Sequence, residues 1–116
     1  MIAGQWINGR AVAGSGGAFD VTNPADGSVI ETLTLASAAD VDAAVMAAAA
    51  AFPAWSSATP AERSTALHDL ARLMSARAQE YAEVESAQAG KPIRLASEFD
   101  VPGSIDNAEF FAGAAR

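Results

Sequence analysis

Two hydrophobic periodicities divide the chain near residue 36. Before it, apolar and polar residues alternate in short runs between turn-forming residues, the signature of half-buried strands. Gln5-Trp6-Ile7 leads into Asn8-Gly9, a pair that tolerates positive φ at both centres of a tight hairpin turn, and Arg10 to Ala13 can return as a strand. Gly14-Ser15-Gly16-Gly17 reads as a hairpin loop. Phe19 to Thr22 alternates, Asn23-Pro24-Ala25-Asp26-Gly27 supplies two more turn signals, and Ser28 to Leu35 alternates again with Val29, Leu33 and Leu35 on one parity. Three short strands are expected.

From Ser37 onward the period is helical. Ser37-Ala38-Ala39-Asp40 is a capping-box variant, and Val41, Val45, Ala48, Phe52 and Trp55 fall on one stripe until Pro53 ends the regular part. Thr59-Pro60-Ala61-Glu62 starts a second helix with a cap, a proline at the first position and a glutamate at the third. Leu67, Leu70, Met74, Ala78, Tyr81 and Val84 continue one face, with a break expected near Ser75–Arg77 because an unbroken helix to Ala89 would be unusually long. Gly90 before Lys91-Pro92 is a stop signal. A last helix is expected from about Val101, with Ile105, Ala108, Ala112 and Ala115 on one face. The fold class is therefore an α+β segment: an N-terminal β-hairpin and short strands followed by three to four helices.

The 116 residues are 51% hydrophobic, much of it alanine methyls, so a packed but thin core is expected. A net charge of −7 disfavours nucleic acid and anionic membranes as partners. No apolar stretch reaches the roughly 20 residues a membrane helix needs, and no secretory leader is recognisable. Absence of cysteine removes disulfides, thiolate zinc sites and a thiolate nucleophile from this chain. A cytoplasmic protein is expected.

Candidate chemistry is sparse. Gly14-Ser15-Gly16-Gly17 has Phe19 at the third glycine position of a dinucleotide loop and is followed by a strand, so it fails as a phosphate cradle. Gly90-Lys91 fails as a Walker loop, with Glu85 in place of its first glycine and Pro92 in place of its hydroxyl residue. His68, the sole histidine, lacks a sequence-near carboxylate pair and reads as a surface or half-buried side chain. Glu80, Glu83 and Glu85 with Arg72 and Arg77 form a solvated helical face whose pairs contribute a few tenths of a kcal/mol each. Phe110 and Phe111 are neighbours on a helix and cannot both enter one core, whereas Trp6 and Trp55 are expected to pack.

In order along the chain stand Trp6-Ile7-Asn8-Gly9, Thr22-Asn23-Pro24-Ala25-Asp26-Gly27, Asp40-Val41-Asp42-Ala43-Ala44-Val45, Ala51-Phe52-Pro53-Ala54-Trp55, Glu62-Arg63, Gly90-Lys91-Pro92 and Phe110-Phe111-Ala112-Gly113. Their order and spacing resemble the amino-terminal part of the NAD(P)-dependent aldehyde dehydrogenase superfamily. The closing Phe110 to Arg116 is most similar to bacterial γ-aminobutyraldehyde dehydrogenases. This resemblance implies residues 1–36 as N-terminal strands and turns and 37–116 as the helical part of the cofactor-binding domain of an α/β fold. It places the catalytic cysteine and glutamate and the cofactor-binding segments downstream, so the chain is expected to be an inactive piece of a longer protein. The whole would oxidise an aldehyde, 4-aminobutyraldehyde or a similar aminoaldehyde, with NAD or NADP, as a homo-oligomer, usually a tetramer. By position, the resemblance implies Asp100 and Phe99 at the mouth of a substrate channel. Asp100 reads equally well as a helix N-cap, and a second channel acid of aminoaldehyde-specific members is replaced by Gly103. It also implies a potassium or sodium ion held by Val21, Thr22 and Gln88, the last a glutamine where the family pattern has an acid. The competing reading is an autonomous acidic helical module that self-associates and catalyses nothing.

Overall fold

The computed structural model describes residues 4–116. Asn8 and Gly9 take φ of 53° and 73°, the positive values a two-residue hairpin turn demands. Strand β1 (Gln5–Ile7) therefore folds straight back onto β2 (Arg10–Val12), with Ile7 opposite Arg10 and Gln5 opposite Val12. Strands β3 (Ala18–Thr22) and β4 (Val29–Thr34) make a second antiparallel pair. The described residues thus hold four strands in two separate hairpins, one strand more than expected, because Arg10–Val12 does pair.

Gly14–Gly17 is not a hairpin loop but the connection between the two pairs. Gly14 and Gly16 are needed sterically: a Cβ on Gly16 would meet the Leu35 and Ala36 carbonyl oxygens at 2.8 and 2.9 Å. A bulge at Val21/Thr22 shifts the register, so that Val21 faces Glu31 but Thr22 faces Val29. The single parity expected for Val29, Leu33 and Leu35 is broken there, and only Leu33 is half-buried.

Helix α1 (Ala38–Ser56) starts at the expected capping box, both halves of which are present. Pro53 does not end it. The helix runs three residues further, and carbonyls of its last turn are covered by a hydroxyl, Ser57 Oγ donating to the Pro53 and Ala54 oxygens at 3.0 Å each. α1 spans 19 residues at a mean hydropathy of 1.2, long and apolar enough by length and composition to cross a membrane. That overturns the expectation that no stretch is. The hydropathy comes from alanine, and Asp40 and Asp42 sit near its start.

The chain divides into two compact units: the described residues through Thr22 with Val29–Ser57, and Asn23–Ser28 with Ala58–Arg116. In the second, α2 (Pro60–Ala76) opens with the Thr59–Glu62 capping box, and Arg77 breaks it from α3 (Ala78–Ala89) within the expected window. Gly90 closes α3 at φ 65°.

A short α4 (Ile93–Leu95) then continues through a π-helical turn, Ala96–Asp100, into α5 (Val101–Ala114). The helical path thus begins eight residues before Val101, where it was expected. Pro102, which has no N–H to give, lies just past the π turn, and the Val101 amide reaches back to the Ala96 carbonyl. The core is built of small side chains. Ala82, Ala96 and Val101 are buried with Ala78 and Ile105 packed on them, and Ser64, Ala71 and Ala112 are buried as well. The α5 face Ile105, Ala108, Ala112, Ala115 is inward or half-buried as expected, but Leu70 of the α2 face is exposed.

Candidate functional site

Helices α2, α3 and α5 line an open cavity of about 390 Å³ in the second unit. Met74, Tyr81, Val84 and Val101 give it an apolar wall, and Glu85, Lys91, Asp100 and Ser104 supply polar groups. Lys91 is brought there by local chemistry. Gly90 in the left-handed conformation packs against the Asn23–Ser28 turn, where a Cβ would stand 3.1 Å from Pro24 Cβ. Ser86 Oγ donates to the Lys91 carbonyl at 2.7 Å. The Lys91 ammonium donates to Asp100 at 2.7 Å and lies 2.8 Å from Glu85. Its pKa is raised, first by the hydrogen bond to Asp100 and then by that to Glu85.

Asp100 is thus in the cavity, but not as a helix cap. It stands within a continuous helical path with helical φ and ψ, makes no side-chain cap bond and gives its carboxylate to Lys91. Phe99 is 61% exposed and is not part of the cavity wall. Glu85, read from sequence as one of a solvated row, is a cavity residue. Its partner Lys91 lies six positions on, past the helix end, beyond the reach of i, i+4 reasoning.

Val21 and Thr22 end β3 in the first unit, and Gln88 lies in the last turn of α3 in the second. Among the described residues no group of three or more His, Cys, Asp or Glu is placed to hold a metal. The glycine-rich connection is filled from within the chain. Asp40 Oδ2 accepts from the Ser15 amide and hydroxyl at 2.8 and 2.7 Å and from the Ser37 amide at 2.8 Å, and the Gly16 amide donates to the Leu35 carbonyl. These donors, the Ser37 amide foremost, hold the Asp40 carboxyl well below the usual range. A pyrophosphate would have to displace a carboxylate there, so the loop does not fit a dinucleotide.

His68 does have a carboxylate, supplied from 41 residues away: its Nδ1 lies 2.6 Å from Glu109 Oε2, and its side chain is half exposed as expected. Phe110 and Phe111 meet edge to face at 5.3 Å, both exposed. Trp6 and Trp55 are more than half exposed rather than packed, although Trp6 lines a concavity with Ala44, Ala47, Ala48 and Ala51 of α1.

The aldehyde dehydrogenase family profile matches residues 11–116. The 2-hydroxymuconic semialdehyde dehydrogenase of Pseudomonas sp. (strain CF600) is 42% identical over 110 residues, 93% of this chain and 23% of that protein. The crystal structure of PnpE in complex with nicotinamide adenine dinucleotide is matched at TM-score 0.92 and 43% identity, over 97% of this chain and 23% of the other. The γ-glutamyl-γ-aminobutyraldehyde dehydrogenase of Burkholderia cenocepacia J2315 is matched at TM-score 0.91 and 38% identity, over 99% of this chain and 24% of the other. The chain therefore spans about a quarter of the length of these relatives, and it belongs to the aldehyde dehydrogenase family.

Proposed function

We propose that the chain is the N-terminal segment of an NAD- or NADP-dependent aldehyde dehydrogenase that oxidises 4-aminobutyraldehyde or a similar aminoaldehyde to the carboxylic acid. The match of 97% of this chain to 23% of PnpE, a structure in complex with nicotinamide adenine dinucleotide, supports the cofactor reading. What supports the substrate is the two carboxylates, Glu85 and Asp100, that line the cavity and can meet an ammonium group. The matched γ-glutamyl-γ-aminobutyraldehyde dehydrogenase acts on a four-carbon aldehyde whose nitrogen is acylated, so it supports the chain length and not the charge. Residues 1–36 serve as N-terminal strands and turns, and 37–116 as the helical part of the cofactor-binding domain. Asp100 and Phe99 belong to the channel mouth. The carbonyls of Val21 and Thr22, with Gln88, are the candidate ligands of a potassium or sodium ion, and glutamine in place of an acid weakens that site by a full charge. The whole protein acts as a cytoplasmic homo-oligomer, a tetramer. The chain alone, without a cysteine, supplies no thiolate nucleophile and is inert.

The test is NADH formation by the longer reading frame with 4-aminobutyraldehyde and with butanal, beside the 116-residue chain. Turnover is expected from the longer protein only, and Asp100→Asn lowers kcat/KM for the aminoaldehyde about tenfold while sparing butanal. Turnover by the short chain overturns its inertness. A longer protein that fails to reduce NAD or NADP with any aldehyde overturns the assignment.

A further inference from the structure

Lys91 is the only lysine in the sequence, and it lies between the two carboxylates of the cavity. We propose that Lys91 sets substrate specificity: its ammonium occupies Asp100 as an internal competitor for the cationic end of a substrate. It thereby fixes how strongly the cavity prefers an ω-ammonio aldehyde to a neutral one of equal length. The inference deepens the substrate-channel reading of this cavity and rests on it.

The geometry supplies the reason. Lys91 is the more covered partner, its side chain 30% exposed against 45% for Glu85 and 43% for Asp100. An entering ammonium therefore meets the outer faces of two carboxylates already joined through Lys91. The backbone on both sides is anchored independently of the ion pair: Ser86 Oγ holds the Lys91 carbonyl, and Ser104 Oγ donates to the Asp100 carbonyl at 2.8 Å. Displacement of Lys91 thus asks only its side chain to move. With Lys91 present the cluster carries one net negative charge, and without it two. Arg77 is matched to Glu80 and does not alter this balance. Tyr81, Val84 and Val101 line the path a carbon chain would take.

The experiment is a calorimetric titration of the longer protein with butane-1,4-diamine as the cationic probe and 1-butanol as the neutral one. Lys91→Met is expected to bind the diamine about tenfold more tightly than the parent chain, the effect of removing one like charge within contact range at a partly wet site. Lys91→Arg restores the weaker binding, Asp100→Asn lowers diamine affinity, and butanol is indifferent to all three. Diamine affinity unchanged in Lys91→Met overturns the inference while leaving the channel reading in place. If Lys91→Met does not fold, Asp100→Asn, which keeps the Lys91–Glu85 pair, decides: unchanged diamine affinity overturns the inference. Failure of both probes to bind any variant overturns the channel reading, and the inference with it.

Discussion

Gly90 shows how one backbone conformation positions chemistry. Its φ of 65° ends α3 and turns the chain so that the next residue, Lys91, enters the cavity. The sequence marks this stop, since glycine followed two residues later by proline is a local signal. It does not mark the packing: a Cβ at Gly90 would stand 3.1 Å from Pro24 Cβ and 3.3 Å from the Ala25 amide, atoms more than sixty positions away. Gly90→Ala therefore combines left-handed strain with a steric clash, and a loss of about 2 kcal/mol is expected from the urea midpoint. Gly27→Ala, where φ is +74° as well but an added Cβ meets nothing within 4 Å, is the control and is expected to cost about 1 kcal/mol, the strain alone. Equal effects from the two substitutions would show that the Pro24 contact is immaterial. The carboxylate partners follow the same division. Arg77–Glu80 and Arg72–Asp69, three apart on helices, are legible in sequence. Lys91–Asp100 and His68–Glu109 depend on how helices meet, which no local pattern encodes.

Element starts were legible because capping is local chemistry. Ser37 and Thr59 each hold the amide three residues on, and Asp40 and Glu62 each reach back. Element continuity was less so. Pro53 reads as a terminator, but α1 runs on to Ser56 and serine hydroxyls cover carbonyls of its last turn, and the π turn at Ala96–Asp100 has no periodic signature of its own. The α1 box also does more than its sequence suggests, since Asp40 binds Ser15 of the glycine-rich connection as well as Ser37. Its carboxyl pKa is lowered in the fold. A lowered pKa means the folded state binds fewer protons than the unfolded one, so this stabilisation is complete above the unfolded value of about 3.9 and is lost as pH falls from there through the folded value. Asp40→Asn should lower the thermal midpoint of α1 helicity, followed by circular dichroism, at neutral pH. The gap between variant and parent should then close as the solution is acidified below about pH 4. A gap independent of pH would mean the bonds to Ser15 and Ser37 do not need the charge.

The apolar faces decide between an enzyme segment and an autonomous module. No residue of α1 is buried, and its stripe of Val41, Val45, Phe52 and Trp55 is 52–64% exposed. Full burial of such a side chain contributes roughly 1.5–3 kcal/mol, so a half-exposed stripe of four forgoes several kcal/mol. That is comparable with the whole stability of a small domain. The second unit adds Phe99, Phe110 and Phe111, all more than half exposed, around a core whose fully buried side chains are mostly alanine. A self-sufficient module would place its largest apolar side chains inside or on one defined partner face. Spread over both units, they fit instead a segment whose covering surfaces lie in the remaining three quarters of a longer relative. The isolated 116-residue chain should therefore bind the dye ANS, melt over a broad range and sediment as a distribution of sizes that grows with concentration. A sharp calorimetric transition together with one small oligomer, unchanged over a hundredfold range of concentration, would favour the module. Its exposed stripes would then be the interface of that oligomer rather than surfaces awaiting the rest of an enzyme.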